Sequence, residues 1–117
     1  MSEPNLTSQL ENNILWIHLG ETEASIRISS KVGKAFGELL ATGPSGVALD
    51  LGEVDFIDSS FLGTLIATLK DADNRNIKFV LFGLRPAVKA IFDLTRLDQI
   101  IDIYLDKEST IQALENL

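Results

Sequence analysis

Residues 47–63 read Val47-Ala48-Leu49-Asp50-Leu51-Gly52-Glu53-Val54-Asp55-Phe56-Ile57-Asp58-Ser59-Ser60-Phe61-Leu62-Gly63, and the order of residue types in them decides the fold. Val47 to Leu51 is a short apolar strand that follows the stop signal Gly43-Pro44-Ser45-Gly46. After a brief connection, Asp58-Ser59-Ser60 leads straight into a stretch where Leu62, Leu65, Ile66 and Leu69 recur at helical spacing. Gly63, Thr64, Ala67 and Thr68 on that helix are small enough to let it pack closely on a sheet.

The same alternation extends in both directions. Upstream, Ile14 to Leu19 is an apolar strand ended by Gly20, and Val32, Phe36, Leu39 and Leu40 give a helix over about Ser29 to Leu40. Gly33 and Gly37 each cost that helix roughly 1 kcal/mol relative to Ala, so they are expected to mark a close backbone approach. Downstream, the polar run Lys70 to Asn76 turns the chain into a third strand, Ile77 to Phe82. Pro86 opens a helix continued by Ala87, Val88, Ile91, Phe92 and Leu94, since a first helical turn has no use for the missing amide hydrogen. Ile100 to Leu105 is a further strand, and Ile111, Leu114 and Leu117 give the inward face of a last helix from Lys107. Parallel strands need crossover helices, so this rhythm predicts an α/β fold: one domain, a mostly parallel sheet of four to five strands, packed by about four helices. The polar residues 1–9 are expected to form a flexible N-terminus, with the domain spanning 10–117. The apolar Ile14–Leu19 strand offers a dimer contact, so a monomer or weak dimer is expected.

At 117 residues there is room for one domain, and 45% hydrophobic with 23% charged residues is globular rather than disordered composition. Ten basic against seventeen acidic residues leave a net charge of −7, which repels nucleic-acid phosphates and anionic membrane alike, and no Lys/Arg cluster offers an exception. No cysteine is present, so disulfides, thiolate nucleophiles and thiolate metal sites are excluded. The start Met-Ser-Glu-Pro-Asn has no basic region followed by an apolar core, and no apolar run approaches ~20 residues, so a soluble cytoplasmic protein is expected. Neither a GxGxxG nor a P-loop pattern occurs, and no carboxylates form a convincing acid/base pair. The single histidine, His18, shares a strand face with Ile14 and Trp16 and reads as a structural or surface residue. No enzyme activity, cofactor or metal is expected.

Asp58-Ser59-Ser60 at the strand-to-helix junction supports two readings. Asp and Ser are preferred N-caps, worth roughly 1 kcal/mol, so one of the three caps the helix and the others are spare. Equally, a hydroxyl at the positive end of a helix, outside the carboxyl end of a strand, could carry a phosphoryl group adding about −1.5 to −2 charges at one point.

The run Leu49 to Gly63 resembles the signature of STAS domains, in which an apolar strand is followed by D-[ST]-[ST]-G-[LI]-G. The likeness continues through Arg85-Pro86-Ala87-Val88, similar to the family's S-P-x-V, and through Ile91 to Ile101. Gly20-Glu21-Thr22-Glu23 is similar to the family's G-E-L-D, so the resemblance covers about Leu10 to Leu114. It implies a bacterial anti-sigma factor antagonist, a transcription regulator acting by partner switching. Ser60 is then the implied phosphoacceptor, with Ser59 the alternative, and Asp58 orients the turn. The implied partner surface is Glu23, Asp58, Ser59, Ser60, Phe61, Leu62 and Thr64. The implied partners are an anti-sigma factor that is itself a serine protein kinase and a serine phosphatase that resets the switch. Three positions depart from the pattern: Phe61 for glycine, Glu23 for aspartate and Arg85 for the capping serine. Phe61 beside Ser60 could obstruct a kinase or anchor a different partner. The alternative reading is therefore a non-phosphorylated STAS binding module, such as a sensory-complex subunit or an accessory subunit of a membrane lipid or anion transport system.

Overall fold

The computed structural model describes residues 3–115. Seven strands and four α-helices run in the order β1 (Leu6–Glu11), β2 (Ile14–Leu19), β3 (Glu23–Ala24), α1 (Ile26–Leu40), β4 (Gly46–Asp50), β5 (Phe56–Ile57), α2 (Ser59–Asn74), β6 (Lys78–Phe82), α3 (Pro86–Leu94), β7 (Asp102–Tyr104) and α4 (Lys107–Glu115), with a 3₁₀ turn over Leu97–Gln99. The main sheet has the order β1-β2-β4-β6-β7. Its β2, β4, β6 and β7 are parallel, as helical crossovers require, and β1 is antiparallel to β2. A separate parallel pair, β3 with β5, aligns Glu23 with Phe56 and Ala24 with Ile57.

The expected α/β fold is present, with two corrections at its N-terminal side. Residues 6–9, assigned above to a flexible terminus, are most of β1; residues 1–2 lie outside the described residues. Asn12 and Asn13, both at positive φ (53° and 65°), join β1 to β2 in a two-residue turn, a conformation asparagine tolerates better than most residues. Because β1 covers one side of β2, the Ile14–Leu19 strand is interior and offers no free edge.

Alternation along the strands divides the core in two. Leu15, Ile17, Leu19, Leu49, Phe79 and Leu81 pack with Val32, Phe36 and Leu40 of α1, Leu62 and Leu65 of α2, and Val88 and Phe92 of α3. Each such side chain contributes about 1.5–3 kcal/mol on burial, so this face carries most of the hydrophobic stabilisation. The opposite face is smaller: Ala48, Val80 and Phe82 meet Leu114 of α4, flanked by Ile14, Trp16 and Tyr104. Leu117, expected on the inward face of α4, lies outside the described residues. Of the two glycines in α1, only Gly33 marks a close approach, its absent Cβ lying 3.3 Å from the Thr64 methyl of α2; around Gly37 there is open space.

Candidate functional site

Asp58 precedes α2 with extended backbone, and its Oδ1 accepts the Phe61 amide at 2.9 Å. Its Oδ2 accepts the Ile26 amide, the first of α1, also at 2.9 Å. One carboxylate thus caps two helices whose N-termini converge, while Ser25 Oγ accepts the next free amide of α1, that of Arg27, at 3.3 Å. Amide hydrogen bonds from Phe61 and then Ile26 hold the Asp58 carboxyl below its ordinary value.

Ser59 and Ser60 form the first turn of α2. Ser59 is exposed and Ser60 half-buried. The Ser60 hydroxyl donates to Ser29 Oγ at 3.1 Å, and Ser29 donates in turn to the Ser25 carbonyl at 2.8 Å, a short hydroxyl chain linking α2 to α1. Thr64, one turn on, is half-buried and donates to the Ser60 carbonyl at 3.4 Å while its methyl meets Gly33. Glu23 is exposed on β3, beside Phe56 of β5, at the strand pair that delivers the chain to Asp58.

Two residues expected on a partner surface are inside the core. Phe61 is 0% exposed and Leu62 is buried. Helical geometry explains this: at the third position of α2 the Phe61 side chain turns towards the sheet, so the ring neither screens Ser60 nor offers an anchor. The apolar surface near Ser60 comes instead from Ile26 and Phe56, 72% and 49% exposed. Neither was singled out by sequence, because Ile26 lies ahead of the periodic stretch beginning at Ser29 and Phe56 belongs to a strand of two residues. The signal present for Ile26 was Ser25 before it, an N-cap residue type at a helix start.

Behind the site, the 50–53 turn is tied on both sides. Asp50 Oδ1 accepts the Gly52 amide at 2.8 Å, and Gly83 leaves room for this carboxylate, its absent Cβ lying 3.3 Å from Oδ1. His18 faces Asp50 with Nδ1 at 3.0 Å and Glu53 with Nε2. Only the imidazolium satisfies both carboxylates as a donor, and the Glu53 hydrogen bond, with Asp50 second, raises the His18 pKa against the opposing effect of burial. Arg85, which lacks any side-chain cap for α3, donates Nε to the Gly52 carbonyl at 2.8 Å. The departure from serine at 85 thus replaces a helix cap with a clamp on this turn.

Among the described residues no cluster of His, Asp and Glu could hold a metal ion, and no helix is long and apolar enough to cross a membrane.

The STAS domain profile matches residues 6–110, starting at the first residue of β1. An anti-sigma-B factor antagonist of Listeria monocytogenes is 38% identical over 55 residues, 47% of this chain and 48% of that one, so the chain spans about half the length of this curated relative. An anti-sigma-factor antagonist (STAS) domain protein from Planctomyces limnophilus superimposes with a TM-score of 0.86 at 18% identity, covering 94% of this chain and 97% of that one. An anti-sigma factor antagonist from Mycobacterium paratuberculosis gives 0.81 at 22% identity, covering 95% of each chain. At those identities the two structures speak for the fold, and the profile match over most of the chain speaks for descent: this protein belongs to the STAS domain family.

Proposed function

We propose that this protein is a cytoplasmic anti-sigma factor antagonist whose unphosphorylated form binds an anti-sigma factor and is released when that partner, acting as a serine kinase, phosphorylates Ser60. The observation that carries this reading is the position of the Ser60 hydroxyl, half-buried in the first turn of α2 at the convergence of two helix N-termini. Exposed Ile26 and Phe56 beside it supply apolar contact area for a partner, with Glu23 and Ser59 as polar neighbours.

In the transfer, Ser60 Oγ forms a bond to the γ-phosphorus of ATP, the bond to the β-phosphate bridging oxygen breaks, and ADP leaves. Both Asp58 oxygens are engaged by backbone amides, so the base that takes the Ser60 proton belongs to the kinase. The product dianion gives up the hydrogen bond to Ser29 and stands beside the Asp58 carboxylate, adding repulsion and desolvation to a close interface. A serine phosphatase would restore the binding form. With Phe61 in the core, the departure from glycine supplies no anchor for a different partner, which removes the main support for a constitutive binding module.

Incubation with ATP and an anti-sigma kinase of the same organism should add the mass of one phosphoryl group. Ser60→Ala should abolish the gain and Ser59→Ala retain it, and phosphorylation should weaken partner binding at least tenfold. No transfer from any such kinase, with a transporter or sensory-complex subunit captured instead, would overturn the reading.

A further inference from the structure

We propose that the free edge of β1 is a self-complementary interface on which a second copy of this chain adds its own β1, antiparallel and centred on Ser8. The Gly20 amide donates to the Asn5 carbonyl at 2.8 Å, which makes Asn5–Gly20 a hydrogen-bonded pair of the β1–β2 hairpin. Hydrogen-bonded pairs recur at every second position, so Thr7–His18, Gln9–Trp16 and Glu11–Ile14 point their polar backbone groups inward. Leu6, Ser8 and Leu10 consequently turn their amides and carbonyls to the outer edge, where among the described residues no strand follows.

A two-fold axis through Ser8 pairs Ser8 with the partner's Ser8, and Leu6 with the partner's Leu10. All three facing pairs then exchange amide–carbonyl hydrogen bonds. The same register sets Leu10, 61% exposed, against an apolar side chain on the α1 side of the sheet. Sliding by two residues either way sets a leucine against serine instead. On the other face Thr7 meets the partner's Gln9, and Glu11, the only charged residue of β1, falls past the ladder.

Sheet edges are ordinarily blunted by brevity, charge or proline. The β7 edge is: it has three residues and carries Asp102, paired with Lys78 at 2.7 Å. The β1 edge has six residues, no proline and no charge at the three outward positions. Beside it a groove of about 520 Å³ between β1 and α1 carries Lys31, paired with Glu3 at 3.3 Å, together with Lys34 and Glu38, so both signs of charge stand beside the edge and a second copy meets no single-sign field there. The edge uses no residue of the Ser60 site, so either proposal can fail without the other.

An edge pairing of this length buries less than the about 1,200 Å² of a stable interface, so the dimer is weak and concentration-dependent. With −7 on each copy, added salt should strengthen it. Sedimentation of the whole chain should show reversible dimerisation at roughly 100 μM, increasing from low to moderate ionic strength. Ser8→Pro should abolish it with an unchanged circular dichroism spectrum, because the Ser8 amide bonds nothing within the hairpin. In this cysteine-free chain, Ser8→Cys should cross-link on mild oxidation far faster than Thr7→Cys, since facing hydrogen-bonded residues lie about 5.5 Å apart at Cα. A chain that stays monomeric at about 1 mM, a dimer undiminished in Ser8→Pro, or equal cross-linking of the two cysteine variants would each overturn the proposal.

Discussion

Asp58 is the residue on which the site turns, because one carboxylate terminates both α1 and α2. The two substitutions that remove its charge should differ. Asp58→Asn retains one carbonyl oxygen, enough for the Phe61 amide, but places an NH₂ group where the Ile26 amide needs an acceptor. Asp58→Ala loses both caps. Thermal melting should therefore rank wild type above Asn above Ala, with several degrees between the extremes in a domain of this size. The pH dependence has a fixed sign. The folded-state pKa is lowered, so the contribution is present above the unfolded value near 3.9 and is lost as pH falls through the lower folded one. Urea unfolding at about pH 7 and about pH 3 should show the gap between wild type and Asp58→Ala narrowing in acid. Equal gaps at the two pH values would mean that Asp58 acts by packing rather than by charge. Asp58 as a cap was legible from residue type alone. Its second helix, and the Ser60–Ser29–Ser25 chain, were not, because residues 31 to 32 positions apart meet only once the sheet has formed.

At the scale of elements, strongly periodic segments were legible and edges were not. β2, β4 and β6 have a buried face and long apolar runs, so their sequences announce them. In β1 only Leu6 is even half-buried, so its polar, aperiodic sequence resembles a frayed terminus. The usable sign was Asn12-Asn13 before an apolar run, a pair suited to the positive φ of a two-residue turn. Strands β3 and β5, of two residues each, are too short for any period. The α1–α2 contact separates two glycines that sequence treats alike. At Gly33 a methyl group would press on Thr64, whereas at Gly37 it meets nothing within 4 Å. Gly37→Ala should accordingly stabilise the protein by about 0.5–1 kcal/mol, by restricting the unfolded chain and improving helix propensity. Chemical denaturation would register this as a higher midpoint at unchanged slope, and a lower midpoint would show that α1 is distorted at that turn.

For the whole molecule, the sheet is covered unequally, and the consequence is open to measurement through its one tryptophan. Three helices seal the first face, while the second relies on α4 alone. Trp16 stands on that second face, edge-on to Phe82 with ring centres 5.6 Å apart, and Lys107 at the start of α4 lies 4.8 Å above its ring. Lys107 also reaches Glu11 of β1 at 3.5 Å, so α4 bridges from the sheet centre towards its edge. Ending the chain at Asp106 removes Leu114 and this cation together. It uncovers Ala48, Val80 and Phe82 while leaving the larger face intact. Leu114 and the cation–π contact account for about 2–4 kcal/mol of the loss and the uncovering of Val80 and Phe82 adds to it, against about 5–15 kcal/mol for an ordinary domain whose larger core is untouched. The shortened protein should thus remain folded, with a lower urea midpoint and Trp16 emission shifted to the red by new contact with water. Because Leu114 of α4 packs on the face of the sheet opposite α1 and α2, the phosphoryl transfer proposed for Ser60 should survive the truncation. An unshifted Trp16 spectrum would mean that α4 does not cover the second face in solution. Loss of phosphoryl transfer with the fold retained would instead join the two faces into one functional surface.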